Sequence, residues 1–292
     1  MYPGTFDYHR PQTLKEAVEL LESSRGNARI LAGGMSLIPM LKSRIVSIPA
    51  LVDIGKIDEL KKVETGKDHL IIGSMVTDHD IEESRTVGEM FPLITEVSRW
   101  IGDPQVRNRG TMGGSLCHAD PSGDWGACFL ALRGKALVTG PKGKRKIDSD
   151  SFFSGPFSTS MNESEILTGI EFTQIDGMNG HAYEKIERKA GDFATVGVAV
   201  QISIDEKGKC TYAGIGLTSV SSSPIRAAEA EKEILGKPVT MKSIESSARI
   251  ASEHCDPSDD PLRGSAEFKR YLVGICTKRA LIRAVKEAGG VI

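Results

Sequence analysis

The sequence predicts an α+β fold in two parts: an N-terminal stretch of short strands and helices, then a C-terminal antiparallel sheet closed by helices. Three observations predict it. Gly33-Gly34 falls between a strand pattern and a helix pattern, and a second pair, Gly113-Gly114, recurs further along. Two β-rich runs at 195–204 and 211–220 flank Asp205-Glu206-Lys207-Gly208-Lys209, an antiparallel hairpin signal. Beyond them the patterns become helical to the end.

The 292 residues suffice for one large domain or two modest ones, and 39% hydrophobic with 26% charged residues suits a packed globular core. A net charge of -2 leaves no excess of Lys and Arg to track phosphates, so nucleic-acid binding is not expected. No apolar run approaches the roughly 20 residues that span a bilayer. The opening Met1-Tyr2-Pro3-Gly4-Thr5-Phe6-Asp7 lacks the basic and apolar regions of a secretory signal, so a cytoplasmic protein without a transmembrane segment is expected. Cys117, Cys128, Cys210, Cys255 and Cys276 are scattered, with no CxxC. That predicts inert or buried thiols, no disulfide framework, and no zinc or iron–sulfur site built by this chain.

Taken in order, Thr13 and Glu16 read as a capping box before a helix whose Leu14, Val18 and Leu21 share a face. Residues 29–32 read as a strand, followed by the glycine turn and a helix through Met40 and Leu41 with Pro39 in its first turn. Residues 50–54 and 70–73 are strands. Thr77 and Asp80 signal an N-cap, residues 91–100 a helix that stops near Gly102-Asp103-Pro104, and residues 105–124 an irregular stretch. A buried helix follows at 125–132, then strands at 136–139 and 166–172. The basic run 141–146 between them reads as a solvated hairpin tip. A boundary is expected near 174–180, and helices at 225–235, 241–254 and 265–288. In the last, Phe268, Leu272, Ile275 and Ile282 form a stripe that reads as core.

The chemistry-bearing residues lie at the two turns. In Ala32-Gly33-Gly34-Met35-Ser36, glycine lets backbone N–H groups approach a ligand, and Ser36 offers a hydroxyl to a phosphate or to the helix start. The pattern is not G-x-G-x-x-G, and Asp53 reads as a strand-end residue rather than a ribose ligand. In Thr111-Met112-Gly113-Gly114-Ser115 the pair is again flanked by hydroxyls. Two such turns suit the two sides of a diphosphate, whose lost hydration convergent N–H donors offset. Asp124 is either an N-cap or an acceptor for sugar hydroxyls. Arg107, Arg109 and His118 receive no role. No carboxylate pair, metal-spaced cluster or nucleophile–base arrangement stands out, so no catalytic or metal-ligating residue is assigned.

With these residues the sequence resembles, over essentially its whole length, the medium, FAD-binding subunit of the molybdenum hydroxylases, the group of xanthine dehydrogenase and aerobic carbon monoxide dehydrogenase. The resemblance is carried by Phe6-Asp7-Tyr8-His9-Arg10-Pro11 with Thr13-Leu14-Lys15-Glu16-Ala17, by Ala32-Gly33-Gly34-Met35-Ser36-Leu37-Ile38-Pro39, and by Arg107-Asn108-Arg109-Gly110-Thr111-Met112-Gly113-Gly114-Ser115. Either glycine motif alone is unspecific; both in order, with these flanks, are specific. The resemblance implies an FAD-binding domain of the vanillyl-alcohol-oxidase/PCMH type over residues 1–176, with α/β subdomains at 1–55 and 56–176. It implies a C-terminal domain at 180–288 with a three-stranded antiparallel sheet and a helical bundle.

Carried over by position, Arg29, Ile30, Leu31, Ala32, Gly33, Gly34, Met35 and Ser36, with Thr111, Met112, Gly113, Gly114 and Ser115, match the cradle for the pyrophosphate and adenosine. Asp124 matches an acidic residue near the sugar-alcohol chain. Leu167 matches a backbone contact to the flavin ring, Lys185 a basic position near it, and Phe193 an aromatic over it; their plain readings are a strand residue, a surface cation and a core aromatic. The cysteine loop that holds an extra iron–sulfur cluster in some relatives is absent. The resemblance therefore implies noncovalent FAD here, with the molybdenum cofactor and [2Fe-2S] clusters on partner subunits. A large molybdopterin-binding subunit and a small [2Fe-2S] subunit would complete a dimer of heterotrimers, a heterohexamer. Electrons would pass from the clusters through FAD to a terminal acceptor. The alternatives are a self-contained flavin oxidoreductase of the same fold and a noncatalytic nucleotide-binding module.

Overall fold

The computed structural model describes residues 2–292. The N-terminal lobe comprises β1 (Asp7–His9), α1 (Leu14–Ser24), β2 (Ala28–Leu31), α2 (Leu37–Lys42) and β3 (Ala50–Asp53). The strands form a parallel sheet in the order β1-β3-β2. Helix α1 buries Ala17, Val18 and Leu21 in a core shared with Val52 and Ile54. Thr13 caps it by accepting from the Glu16 N–H at 3.2 Å, but the Glu16 carboxylate accepts from the N–H of Gln12 rather than of Thr13. Strand β1 has no alternating pattern, since all three residues are exposed, and it exists through its pairing with β3. Asp53 accepts from the Tyr8 hydroxyl and from the Gly55 N–H at 2.8 Å, with Arg10 at 3.4 Å.

The central lobe runs through β4 (Val63–Thr65), β5 (His69–Gly73), α3 (Asp78–Glu83), α4 (Arg85–Met90), α5 (Pro92–Ser98), α6 (Pro104–Arg107), α7 (Met112–His118), α8 (Asp124–Ala131), β6 (Lys135–Gly140), β7 (Gly143–Asp148), β8 (Phe153–Gly155), β9 (Ser158–Thr159) and β10 (Ile166–Thr173). Its five-stranded sheet has the order β4-β5-β10-β6-β7, and the helices bury Leu93, Ile94, Val97, Trp125 and Phe129 in its core. The stretch 105–124, expected to be irregular, contains α6 and α7. Glycine's low helix propensity hides α7, yet Gly113 is required inside it: a Cβ there would fall 2.5 Å from the Ser74 carbonyl oxygen. The basic run 141–146 is exposed throughout and forms the tip and the start of one arm of the β6–β7 hairpin. Only Pro141 and Lys142 turn, and Arg145 and Lys146 sit on β7, paired with Glu165 and Glu171 at 2.7 Å.

The C-terminal part comprises β11 (Met178–Glu187), β12 (Ala194–Ile204), β13 (Cys210–Thr218), β14 (Ile225–Arg226), α9 (Ala228–Ile234), α10 (Met241–His254) and α11 (Ala266–Glu287). The expected three antiparallel strands are β11, β12 and β13; the two-residue β14 adds a fourth on the edge and delays the helix expected from 225 to Ala228. The expected stripe on α11 is offset from the core. Val273, Cys276, Ala280, Leu281 and Ala284 are buried, Leu272, Ile275 and Ile282 are half-buried, and Phe268 is 48% exposed. Small residues set this face because α11 lies close on β11: a Cβ at Gly180 would come 1.8 Å from the Ala284 carbonyl oxygen. On the other side of the sheet lies α8, so close that a Cβ at Gly214 or Gly216 would fall 1.9 Å from the carbonyl oxygen of Ala131 or Ala127. Four cysteines are buried as expected; Cys117 is exposed.

Candidate cofactor site

Both glycine turns open onto one cleft of about 880 Å³ between the N-terminal lobe, the central lobe and the loop joining β11 to β12. The turns touch. A Cβ on Gly33 would fall 2.0 Å from the Arg109 carbonyl oxygen, and one on Gly114 would lie 3.5 Å from the Ala32 side chain. Gly34 adopts φ +81°, a left-handed conformation that favours glycine. The N–H groups of Gly33, Gly34, Met35, Ser36 and Leu37 donate to no backbone oxygen among the described residues, and neither do those of Met112 and Gly113. Unpaired amides gathered at one cleft are the donors an anion needs.

The second turn is wound as the first turn of α7, so its N–H groups divide. Thr111 is the N-cap and accepts from the Gly114 N–H at 3.0 Å, which leaves Met112 and Gly113 free and removes Gly114 as a donor to a ligand. Ser36 starts α2 without a capping bond, so its hydroxyl remains free for a ligand.

Arg29, Ile30, Ala32, Gly33, Gly34, Met35, Ser36, Thr111, Gly113, Gly114, Ser115, Asp124, Leu167 and Phe193 all line the cleft. Leu31, Met112 and Lys185 do not. Leu31 carries its strand into the turn and packs near Gly34, Met112 is buried in the core of the central lobe, and Lys185 stands behind Asp124. Lys185 is no surface cation: its side chain is 0% exposed, and its ammonium donates to Asp124 Oδ2 at 3.1 Å and to the Trp100 carbonyl oxygen at 3.0 Å, with Glu187 at 3.5 Å. Asp124 is the first residue of α8 but caps nothing. Its Oδ1 accepts from the Tyr183 hydroxyl at 2.5 Å. Burial pushes its acidity weaker than an ordinary carboxyl, while Lys185 and Tyr183 oppose that shift by favouring the ionised form. Phe193 is no core aromatic. It is 45% exposed, on a loop that Asp192 braces through Arg188 at 3.2 Å and Arg263 at 3.6 Å.

The unassigned residues divide. Arg107 pairs with Glu82 at 2.8 Å; Arg109 supplies the carbonyl against Gly33; His118 lines the cleft beside Phe157, and burial holds its imidazole below the usual range. Sequence reasoning missed Ser74 and Asp78, which form part of the cleft wall. Asp78 is 2% exposed and accepts from the Trp125 indole N–H at 2.9 Å; the Ser74 hydroxyl is buried without a partner. The only signal for them was the Thr77–Asp80 cap, which starts α3 at Asp78 just after the turn that carries Ser74. No group of three or more metal-ligating side chains occurs among the described residues.

Residues 4–173 match the family model of the FAD binding domain in molybdopterin dehydrogenase, and residues 181–284 match the CO dehydrogenase flavoprotein C-terminal domain. The chain is 37% identical over 281 residues to the carbon monoxide dehydrogenase medium chain of Hydrogenophaga pseudoflava, covering 96% of this chain and 97% of that one. It is 38% identical to the glyceraldehyde dehydrogenase medium chain of Sulfolobus acidocaldarius, covering 96% and 98%. Among solved structures, a carbon monoxide dehydrogenase from Hydrogenophaga pseudoflava that lacks the Mo-pyranopterin moiety superposes with a TM-score of 0.96 at 38% identity, over 98% of this chain and 99% of that one.

Proposed function

The chain belongs to the FAD-binding medium-subunit family of molybdopterin dehydrogenases, and from that premise we propose that its cleft holds FAD as the electron outlet of a larger oxidoreductase. The observation that carries this reading is the gathering of unpaired N–H groups from two separate turns on one cleft, joined where Gly33 meets the Arg109 carbonyl.

The residues present fit the group. The amides of Gly33 to Leu37, with those of Met112 and Gly113, receive the diphosphate, and the hydroxyls of Ser36 and Ser115 supplement them. Arg29, Ile30, Ala32, Gly34 and Met35 wall the adenosine end, and Thr111 fixes the second turn. Asp124 accepts from the sugar-alcohol hydroxyls while Lys185 and Tyr183 hold its carboxylate in place. Leu167 and Phe193 enclose the ring, Phe193 from the exposed mouth. FAD supplies chemistry that accepts single electrons and delivers one or two. No base on this chain acts on the primary substrate.

The medium-chain names of the relatives support one subunit of a multi-subunit complex. In our reading a large subunit carries the molybdenum cofactor and a small one the [2Fe-2S] clusters, arranged as a dimer of heterotrimers in the cytoplasm. Electrons pass from the clusters through this subunit to the terminal acceptor. No helix is long and apolar enough to cross a membrane among the described residues. Purified full-length chain is expected to bind FAD noncovalently and turn yellow, releasing intact FAD on acid precipitation. A folded chain that takes up no flavin from micromolar FAD would overturn the reading.

A further inference from the structure

Asp78 and Ser74 have no assigned part in the cleft, and their surroundings are unusual. Ser74 lies on the turn that leads from β5 into α3 and Asp78 is the first residue of α3; both face the cleft beside the second glycine turn. The backbone fixes this wall: the Asp78 N–H donates to the Gly110 carbonyl at 2.9 Å, and Gly113 packs against Ser74 so tightly that a Cβ would come within 2.6 Å of the Ser74 side chain. The Ser74 hydroxyl, 3% exposed, has no partner. Asp78 Oδ1 accepts from the Trp125 indole, whereas Oδ2 has no donor among the described residues and lies against Gly110, where a Cβ would approach within 2.4 Å.

Burial disfavours the ionised form of Asp78, and the Asp124 carboxylate adds to this, while the Trp125 indole hydrogen bond and the Arg107 charge oppose it. From α8, the indole of Trp125 and the carboxylate of Asp124 face it, and Asp124 already takes the buried ammonium of Lys185. From α6, Arg107 is the nearest cation, and its guanidinium is paired with Glu82. Burial depresses the imidazole of His118 across the cleft below its usual range, against the pull of Asp120. No cation lies within ion-pairing distance of Asp78 among the described residues, and a diphosphate entering the cleft adds further negative charge. A buried carboxylate in such a place is costly, and the neutral acid is a hydrogen-bond donor.

We propose that Asp78, as a neutral carboxylic acid, is a further positioning residue of the cleft that donates from Oδ2 to an oxygen of the cofactor's polyol–diphosphate stretch, with Ser74 beside it. This rests on the reading that the cleft holds FAD. The two aspartates divide the recognition: Asp124 accepts hydroxyls as an anion held by Lys185, and Asp78 donates as an acid held by Trp125. Burial pushes Asp78 up to about 7, so the proton lies within physiological reach. The sign follows from linkage. A bound state that requires the proton raises this group's pKa further, so affinity is full below about pH 7 and is lost as pH rises through it.

The test is FAD affinity of the full-length apoprotein from flavin fluorescence between about pH 6 and 8.5. Wild type is expected to weaken by about tenfold per pH unit above pH 7, the limit for one required proton. Asp78→Asn, which keeps a donor and cannot ionise, is expected to bind as wild type does at pH 6 and to stay flat. Calorimetry of the wild type at pH 7.5 in buffers of different ionisation enthalpy needs no variant, and is expected to register proton uptake on binding. A flat wild-type profile, no proton uptake, or uptake that persists in Asp78→Asn and so belongs to His118 would each overturn the proposal while FAD still binds. Absence of FAD binding at every pH would instead overturn the cofactor reading, and this inference with it.

Discussion

The Lys185 ammonium, wholly closed off from solvent, donates to Asp124 Oδ2 across 3.1 Å and so ties strand β11 to the first residue of α8 at the cleft wall. One buried cation is shared by Asp124 and Glu187, and the Trp100 carbonyl completes its contacts. Removing one partner of such a pair strands the other charge in a poorly solvated place.

Lys185→Met is therefore expected to lower the unfolding free energy by about 3–5 kcal/mol, measured by urea unfolding at pH 7.5. Adding Asp124→Asn, which removes one stranded charge and can still accept from Tyr183, is expected to restore part of that loss. A double variant no more stable than Lys185→Met alone would contradict the pairing.

Gly33→Ala places a methyl group 2.0 Å from the Arg109 carbonyl oxygen and forces the two turns apart. The expected cost is about 1–3 kcal/mol of stability, together with a fall in FAD affinity. Gly4→Ala, with nothing within 4 Å of its Cβ, is the control and is expected to leave both unchanged. Equal affinity in the two variants would count against the turns meeting over one ligand.

Phe193→Ala touches an exposed loop residue, so stability is expected to move by less than about 0.5 kcal/mol. Its place at the cleft mouth predicts a faster release of FAD and brighter residual flavin fluorescence, both read in a single dilution experiment. Release kinetics indistinguishable from wild type would remove Phe193 from the site.

The ion pair between Arg145 and Glu165 holds the Glu165 carboxyl down to about 2, chiefly through the Arg145 hydrogen bond. A depressed carboxyl stabilises the fold above its unfolded value, near 4.5, and the contribution disappears as pH falls toward 2. The Tm difference between wild type and Glu165→Gln is thus expected to be constant above about pH 5 and to narrow below it. A difference that grows on acidification would reverse this assignment.

Much of the fold was legible because its signals are local. The hairpin at Asp205–Lys209, the Thr13 and Thr77 caps, and the long patterns of β12 and β13 fall where neighbouring residues decide the outcome. What escaped depends on tertiary pairing. β1 is three exposed residues made a strand by β3; β14 is a pair of residues captured by the β13 edge; α7 is a helix with two glycines inside it, one of them demanded by Ser74. The glycine turns announced the cleft because unusual backbone leaves a mark in composition. Lys185 and Phe193 carried no such mark, and the plain reading of each, a surface cation and a core aromatic, is the reverse of its true exposure. Asp78 stayed hidden because a buried acid and a capping-turn acid look alike in a string of letters.

The glycines at 214 and 216 matter beyond packing. They let α8, which belongs to the same stretch of chain as the second glycine turn, rest directly on the C-terminal sheet. The sheet is thus the floor beneath Asp124. Exchanging the C-terminal segment for that of a relative transfers part of this foundation too, so a functional chimera must keep small residues at both positions even though neither reaches the cleft.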